Sequence, residues 1–192
     1  MSLKIAIGLG NSGAEYANTR HNSGEIVLKE VARACGADFS YNKFCSAYIA
    51  KAVIASKPVV LAFADGYMNL SGGNIKNILK FLKFNISEAA VVYDDITLDV
   101  GRMKLSLGGS AGGHNGVADI MEKCGNDFAR IRIGIGAKPY KTMDLADYVL
   151  GKLDESDLSA IRALDVKECL SLMLAKGLEG AQNVVNRHAP RQ

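Results

Sequence analysis

The chain has 192 residues, 48% of them hydrophobic and 22% charged, with 23 Lys and Arg against 20 Asp and Glu for a formal charge of +3. That length fits one globular domain, residues 1–192, and is short for two. A surplus of three charges marks no nucleic-acid surface, which needs clustered basic residues. The four cysteines, Cys35, Cys45, Cys124 and Cys169, show neither C-x-x-C nor finger-like His spacing, so they read as buried free thiols of a reducing compartment. The first apolar run stops at Asn11, too early for a signal or a membrane span, and a soluble cytoplasmic protein is expected.

In chain order, apolar runs predict strands at residues 4–8, 48–54, 59–63, 89–93, 103–107 and 130–135. Several are apolar throughout, as central strands are. The Arg130-Ile131-Arg132-Ile133 alternation predicts a strand with one polar, solvent-facing side. Between them lie helical stripes. Val27, Val31 and Ala34/Cys35 share a face of a helix from about Asn22 to Gly36, where Asn22 and Glu25 resemble a capping box. Ile75, Ile78, Leu79 and Leu82 form a second stripe, and Val117, Ile120, Met121 and Cys124 a third that Gly125 stops. Leu158, Ile161, Leu164, Leu172 and Met173 predict one long C-terminal helix, with a last short helix over residues 178–187. Alternation of this kind predicts a three-layer α/β domain: a central, mixed but mostly parallel twisted sheet flanked by helices.

GLGNSGAEYANTRHN, residues 8–22, follows the first strand, and Gly8, Gly10 and Gly13 match the dinucleotide fingerprint G-x-G-x-x-G. A true fingerprint opens a helix at its third glycine and finds an acidic residue at the end of a second strand. Here a polar run follows Gly13, Glu30 lies mid-helix and Asp38 follows no strand. The fingerprint reading fails on both points. The glycines instead shape a loop that delivers Asn11, Tyr16 and His21 to a strand end, where α/β folds place their chemistry.

Three further stretches share that character. Tyr67-Met68-Asn69-Leu70-Ser71-Gly72 leads into a helix, for which Asn69 or Ser71 is an ordinary N-cap candidate. Tyr93-Asp94-Asp95 ends an apolar strand in two carboxylates. Gly108-Gly109-Ser110-Ala111-Gly112-Gly113-His114-Asn115-Gly116 puts five glycines into nine residues before a helix. His21, His114 and Asp94 also form a candidate metal set, though without a compact motif such as H-E-x-x-H.

GLGN-x-G-x-x-Y-x-x-TRHN-x-G, Y-MNLSG and GG-x-x-GGHNG, in that order, resemble the bacterial peptidyl-tRNA hydrolase family, with similarity from Lys4 to Lys152. Ser12 stands where the family usually carries proline, which is expected to loosen the turn aiming Asn11. The resemblance implies cleavage of the ester between a peptide and the 3′ end of tRNA, recycling tRNA from aborted translation. It implies His21 as catalytic base, Asp94 as its orienting partner and Asn11 as reader of the peptide backbone. Asn69 and Asn115 would hold the substrate beside Met68, with Tyr16 and Tyr67 at the tRNA 3′ end and His114 supporting its loop. An imidazole, ordinarily titrating near 6.5, suits a base at neutral pH, and an ester needs neither metal nor covalent nucleophile. No cofactor, a monomer and no membrane partner are therefore expected. Lys104, Arg130, Arg132, Lys138, Lys141 and Lys152 are candidate phosphate contacts for the tRNA. The alternatives are a non-catalytic RNA-binding module on the same fold and a metallohydrolase.

Overall fold

Seven strands form one sheet in the computed structural model, which describes residues 2–188. Residue 1 and residues 189–192, which the single-domain reading also spans, lie outside the described residues. The strands are β1 (Ile5–Gly8), β2 (Ser40–Asn42), β3 (Ala47–Ile54), β4 (Lys57–Ala64), β5 (Ala89–Asp95), β6 (Met103–Leu107) and β7 (Ala129–Gly134), ordered β2-β3-β4-β1-β5-β7-β6. The central four, β4, β1, β5 and β7, run parallel. Antiparallel β3, β2 and β6 complete the edges. The mostly parallel three-layer sandwich matches the expectation from sequence.

Strand alternation divides the core in two. Ala6, Val92, Ile131 and Ile133 join Val27 and Val31 of α1 (Ser23–Ala34), Ile161 of α5 (Glu155–Arg162) and Leu170 of α6 (Val166–Val185). Ile5, Ile7 and Val91 join Ile75 and Ile78 of α2 (Ser71–Leu82) and Val117 and Ile120 of α3 (Asn115–Cys124). The short α4 (Leu145–Leu150) lies between β7 and α5 in the chain. Gly8 and Gly24 let α1 rest directly on the sheet: a Cβ on Gly24 would sit 2.1 Å from the Val92 carbonyl oxygen, and one on Gly8 2.6 Å from the Gly24 carbonyl oxygen. The first glycine of the apparent fingerprint thus serves helix packing.

Several local expectations are corrected. The long C-terminal helix is two helices, because Asp154 and Asp165 each cap a new N-terminus, accepting from the N–H groups of Asp157 and Glu168. Gly177, at φ 71° and ψ 177°, then breaks α6 and separates off the short final segment. β2 and α4 were not expected at all. Ala34 is exposed, while Gly36, at φ 61°, does end α1. Of the cysteines only Cys45 and Cys169 are buried, Cys35 and Cys124 are half-buried, and all four are free. Burial pushes the Cys169 thiol up to about 12, so it stays protonated and inert. No helix among the described residues is long and apolar enough to cross a membrane.

The open edge of β6 is closed by a side chain. Asn186 accepts from the Leu105 N–H at 2.9 Å and donates to its carbonyl at 2.9 Å, imitating a neighbouring strand. Leu105 is fully buried. Replacing Asn186 by alanine therefore leaves a buried amide unpaired, and urea unfolding should show a loss of about 1–3 kcal/mol.

Candidate active site

The loops leaving the carboxyl ends of β1, β4 and β5, together with the loop after β6, converge on a cleft of about 760 Å³. Ligands of open α/β sheets bind at this end. Asn11, Tyr16, His21, Tyr67, Met68, Asn69, Asp94, His114 and Asn115 all line it, although they come from four separate stretches.

His21 sits in a 3-10 turn, Arg20–Asn22, tied to the C-terminal end of α4 by the Arg20 N–H donating to the Gly151 carbonyl at 3.0 Å. Its Nδ1 lies 2.8 Å from Oδ1 of Asp94, the penultimate residue of β5. The Nε2 of His114 lies 3.0 Å from that same oxygen. His114 is the N-cap of α3, and its Nδ1 accepts the Val117 N–H at 3.2 Å. This last bond decides the tautomers. A neutral ring that accepts at Nδ1 carries its proton on Nε2, so His114 donates to Asp94. His21 must likewise donate from Nδ1 to the carboxylate, which leaves its Nε2 lone pair without a partner among the described residues.

Asp94 is buried, with 4% exposure. Burial alone would raise its pKa, but the hydrogen bonds from His114 and His21 outweigh it and hold the carboxyl well below the usual carboxylate range. It is therefore an anion at neutral pH. The two imidazoles are tilted by 42° with centroids 4.7 Å apart, and Tyr93 meets His114 edge-on at 5.1 Å.

The ligand atoms of His21, Asp94 and His114 lie within 4.8 Å of one another, close enough to consider a metal. The donor set does not suit one. To ligate through Nε2, His114 would have to place a proton on Nδ1, facing the Val117 N–H donor.

Asn11 has a fixed amide. Its Oδ1 accepts the Met68 N–H at 2.7 Å, which turns its NH₂ away as a double donor with no partner among the described residues. Its backbone is gripped by Asn22, whose Oδ1 accepts the Asn11 N–H and whose Nδ2 donates to the Asn11 carbonyl, both at 2.9 Å. Asn22 thus braces the site and makes no side-chain cap, so the expected capping box is absent. Ser12 also corrects expectation. Its Oγ accepts the Gly66 N–H at 2.7 Å and its N–H donates to the Gly66 carbonyl at 3.0 Å, so it ties the turn down. Neither Asn69 nor Ser71 caps α2; the Ser71 hydroxyl donates to the Met68 carbonyl instead. Met68 is buried beneath the cleft, whereas Asn69, Asn115 and Tyr67 stand exposed around it. Tyr67 meets the half-buried Tyr16 edge-on at 6.4 Å.

The candidate phosphate contacts are tied to different neighbours. Lys104 and Arg132 are cross-strand partners of β6 and β7. Arg132 is also committed to Asp95 at 2.5 Å and to the Thr97 hydroxyl, which gives Asp95 a structural partner. The Lys138 ammonium donates to the carbonyls of Lys141 and Met143. Lys141 and Lys152 are exposed, and Lys152 bridges to Thr19 through the backbone. Arg130 does not fit the expected solvent-facing side, for it is 2% exposed with its guanidinium on the carbonyls of Gly109 and Ser110. Ile96, Leu145, Val149 and Leu150 add an apolar wall that was not foreseen. Asp144, which caps α4, with Leu145 and Val149 one turn apart, was the available signal.

A family model described as peptidyl-tRNA hydrolase matches residues 5–192. The peptidyl-tRNA hydrolase of Lachnospira eligens is 41% identical over 185 residues, covering 95% of this chain and 98% of the relative. That of Anaeromyxobacter sp. is 40% identical over 193 residues, covering 97% and 98%. Among solved structures, the peptidyl-tRNA hydrolase of Acinetobacter baumannii superposes with a TM-score of 0.89 at 29% identity, covering 98% of this chain and 97% of that chain. With family model and relatives spanning nearly its whole length, this chain belongs to the peptidyl-tRNA hydrolase family, enzymes that hydrolyse the ester bond of peptidyl-tRNA.

Proposed function

We propose that this chain, acting as a monomer, cleaves the ester between an N-blocked peptide and the 3′ end of tRNA by general-base attack of water. It would thereby recycle tRNA from aborted translation in the cytoplasm. The observation that carries this reading is the meeting of both imidazoles on Asp94 Oδ1, His21 through its Nδ1, which assigns the His21 proton to Nδ1 and makes its Nε2 the acceptor.

Water gives a proton to His21 Nε2 as its oxygen adds to the ester carbonyl. The ring becomes an imidazolium, stabilised by the Asp94 carboxylate at Nδ1. The tetrahedral oxyanion then collapses. The bond to the ribose oxygen breaks, and His21 returns its proton to that oxygen, giving a peptide acid and a free tRNA 3′ hydroxyl. Asn11, with its oxygen occupied by Met68, offers only N–H donors and so suits a peptide carbonyl. The exposed amides of Asn69 and Asn115 hold the rest of the substrate near the reacting carbonyl. Tyr16 and Tyr67 present aromatic faces to an unpaired terminal base, and His114 keeps Asp94 in place. Lys104 and Arg132 at the β6–β7 end face the tRNA phosphates.

Hydrolysis of N-acetyl-aminoacyl-tRNA beside unblocked aminoacyl-tRNA, with and without EDTA, tests the reading. Selective cleavage of the blocked ester, at the same rate in EDTA, is expected. Retained tRNA binding with no cleavage would favour the binding-module reading. Loss of activity in EDTA would show that a metal takes part.

A further inference from the structure

We propose that Arg130 is a positioning residue for this reaction: it pins the glycine-dense loop of residues 108–113 and so sets where His114 and Asn115 meet the substrate. The inference rests on the esterase reading above. The loop has few ties of its own: the His114 N–H donates to the Ala111 carbonyl at 2.9 Å, and Ala111 packs against the core. Gly108, Gly109, Gly112 and Gly113 all have φ between 58° and 98°. Nothing lies within 4 Å of where a Cβ on Gly109 or Gly112 would stand, so packing does not restrain them. Yet the loop ends in His114, whose ring must keep its bonds to Asp94 and to the Val117 N–H at the same time.

Arg130 adds a constraint on the glycine side of the loop, from a rigid base. Its backbone lies in β7, in register with Val91 of β5 on one side and Ser106 of β6 on the other. From there Nη1 donates to the Ser110 carbonyl at 2.6 Å and Nη2 to the Gly109 carbonyl at 3.0 Å. Nη2 also donates to Asn126 Oδ1 at 2.5 Å, and Asn126 Nδ2 donates in turn to the Gly109 carbonyl at 3.0 Å. The guanidinium lies over the Phe128 ring, 4.9 Å from its centroid.

Among the described residues, none of the ion pairs involves Arg130. A buried cation without a carboxylate is costly unless oriented dipoles surround it. Here those dipoles are the loop's own carbonyls and the Asn126 amide oxygen. The loop and the guanidinium therefore fix each other, and a planar fork meets two successive carbonyls in a way that a lysine ammonium does not.

The test compares Arg130→Gln and Arg130→Lys with wild type, by steady-state kinetics and by nitrogen NMR of the His114 ring without substrate. Arg130→Gln should raise KM on the order of 10–100-fold. The kcat should fall less, since His21 and Asp94 sit on the Arg20–Asn22 turn and on β5, and Arg130→Lys should recover part of the loss. The His114 ring should pass from a single Nε2–H tautomer to a mixture. An unchanged KM together with an unchanged His114 tautomer in folded Arg130→Gln overturns the proposal. If that variant does not fold, Asn126→Ala, at an exposed position, removes one tie to the loop and one from Arg130. It should shift KM and the His114 signal in the same direction by less, and no shift in either overturns the proposal. Should wild type fail to cleave the blocked substrate, the esterase reading falls, while the His114 signal still decides whether Arg130 pins the loop.

Discussion

His21→Ala should lower turnover of a blocked aminoacyl-tRNA on the order of 10²–10⁴-fold, the usual worth of a general base. Substrate affinity should be nearly retained. The reason lies in where the remaining groups are anchored. Asn11 keeps its grip from Asn22 and Met68, and His114 keeps its N-cap bond to Val117. Asp94 keeps one donor of its two. The substrate therefore meets the same donors, and only the proton acceptor has gone. Single-turnover rates beside a measured Kd separate these effects. Affinity lost as severely as rate would make His21 a binding residue. A rate unchanged would place the base elsewhere.

Asp94→Asn should cost a comparable factor, on the order of 10²–10⁴ in kcat, by a different route. An amide removes the charge that stabilises the imidazolium. It also offers an N–H that can face His21 Nδ1, which would move the ring proton to Nε2 and remove the acceptor. Stability carries a second signature. A carboxyl held below its unfolded value of about 3.9 contributes stability above that pH and loses it as pH falls towards the folded value. Wild type should lose stability more steeply than the variant below about pH 4. Parallel stability curves would mean that the two histidines do not hold the carboxylate as an anion.

The layers and the cleft were legible because they rest on strong signals. Uninterrupted apolar runs marked β1, β4 and β5, and loops dense in glycine and asparagine at strand ends marked the cleft. What escaped depends on contacts across the chain. Asn22 followed by Glu25 has the form of a capping box, but the Asn11 backbone, eleven residues earlier, competes for the Asn22 amide and wins. Arg130 alternates with buried isoleucines as a solvent-facing residue would, and the glycine loop that folds over it is not adjacent in sequence. Ser12 in place of proline reads as a weaker turn until Gly66 arrives to bond both its hydroxyl and its N–H. β2 and α4 are three and six residues long, too short for periodicity to declare them.

Nitrogen NMR of the two cleft imidazoles at neutral pH tests the centre of this account most directly. The predicted spectrum shows His21 protonated at Nδ1 with a bare Nε2, and His114 in the opposite tautomer, protonated at Nε2. A proton on Nε2 of His21 would contradict it, since that ring would have no lone pair in the cleft to receive a proton from water.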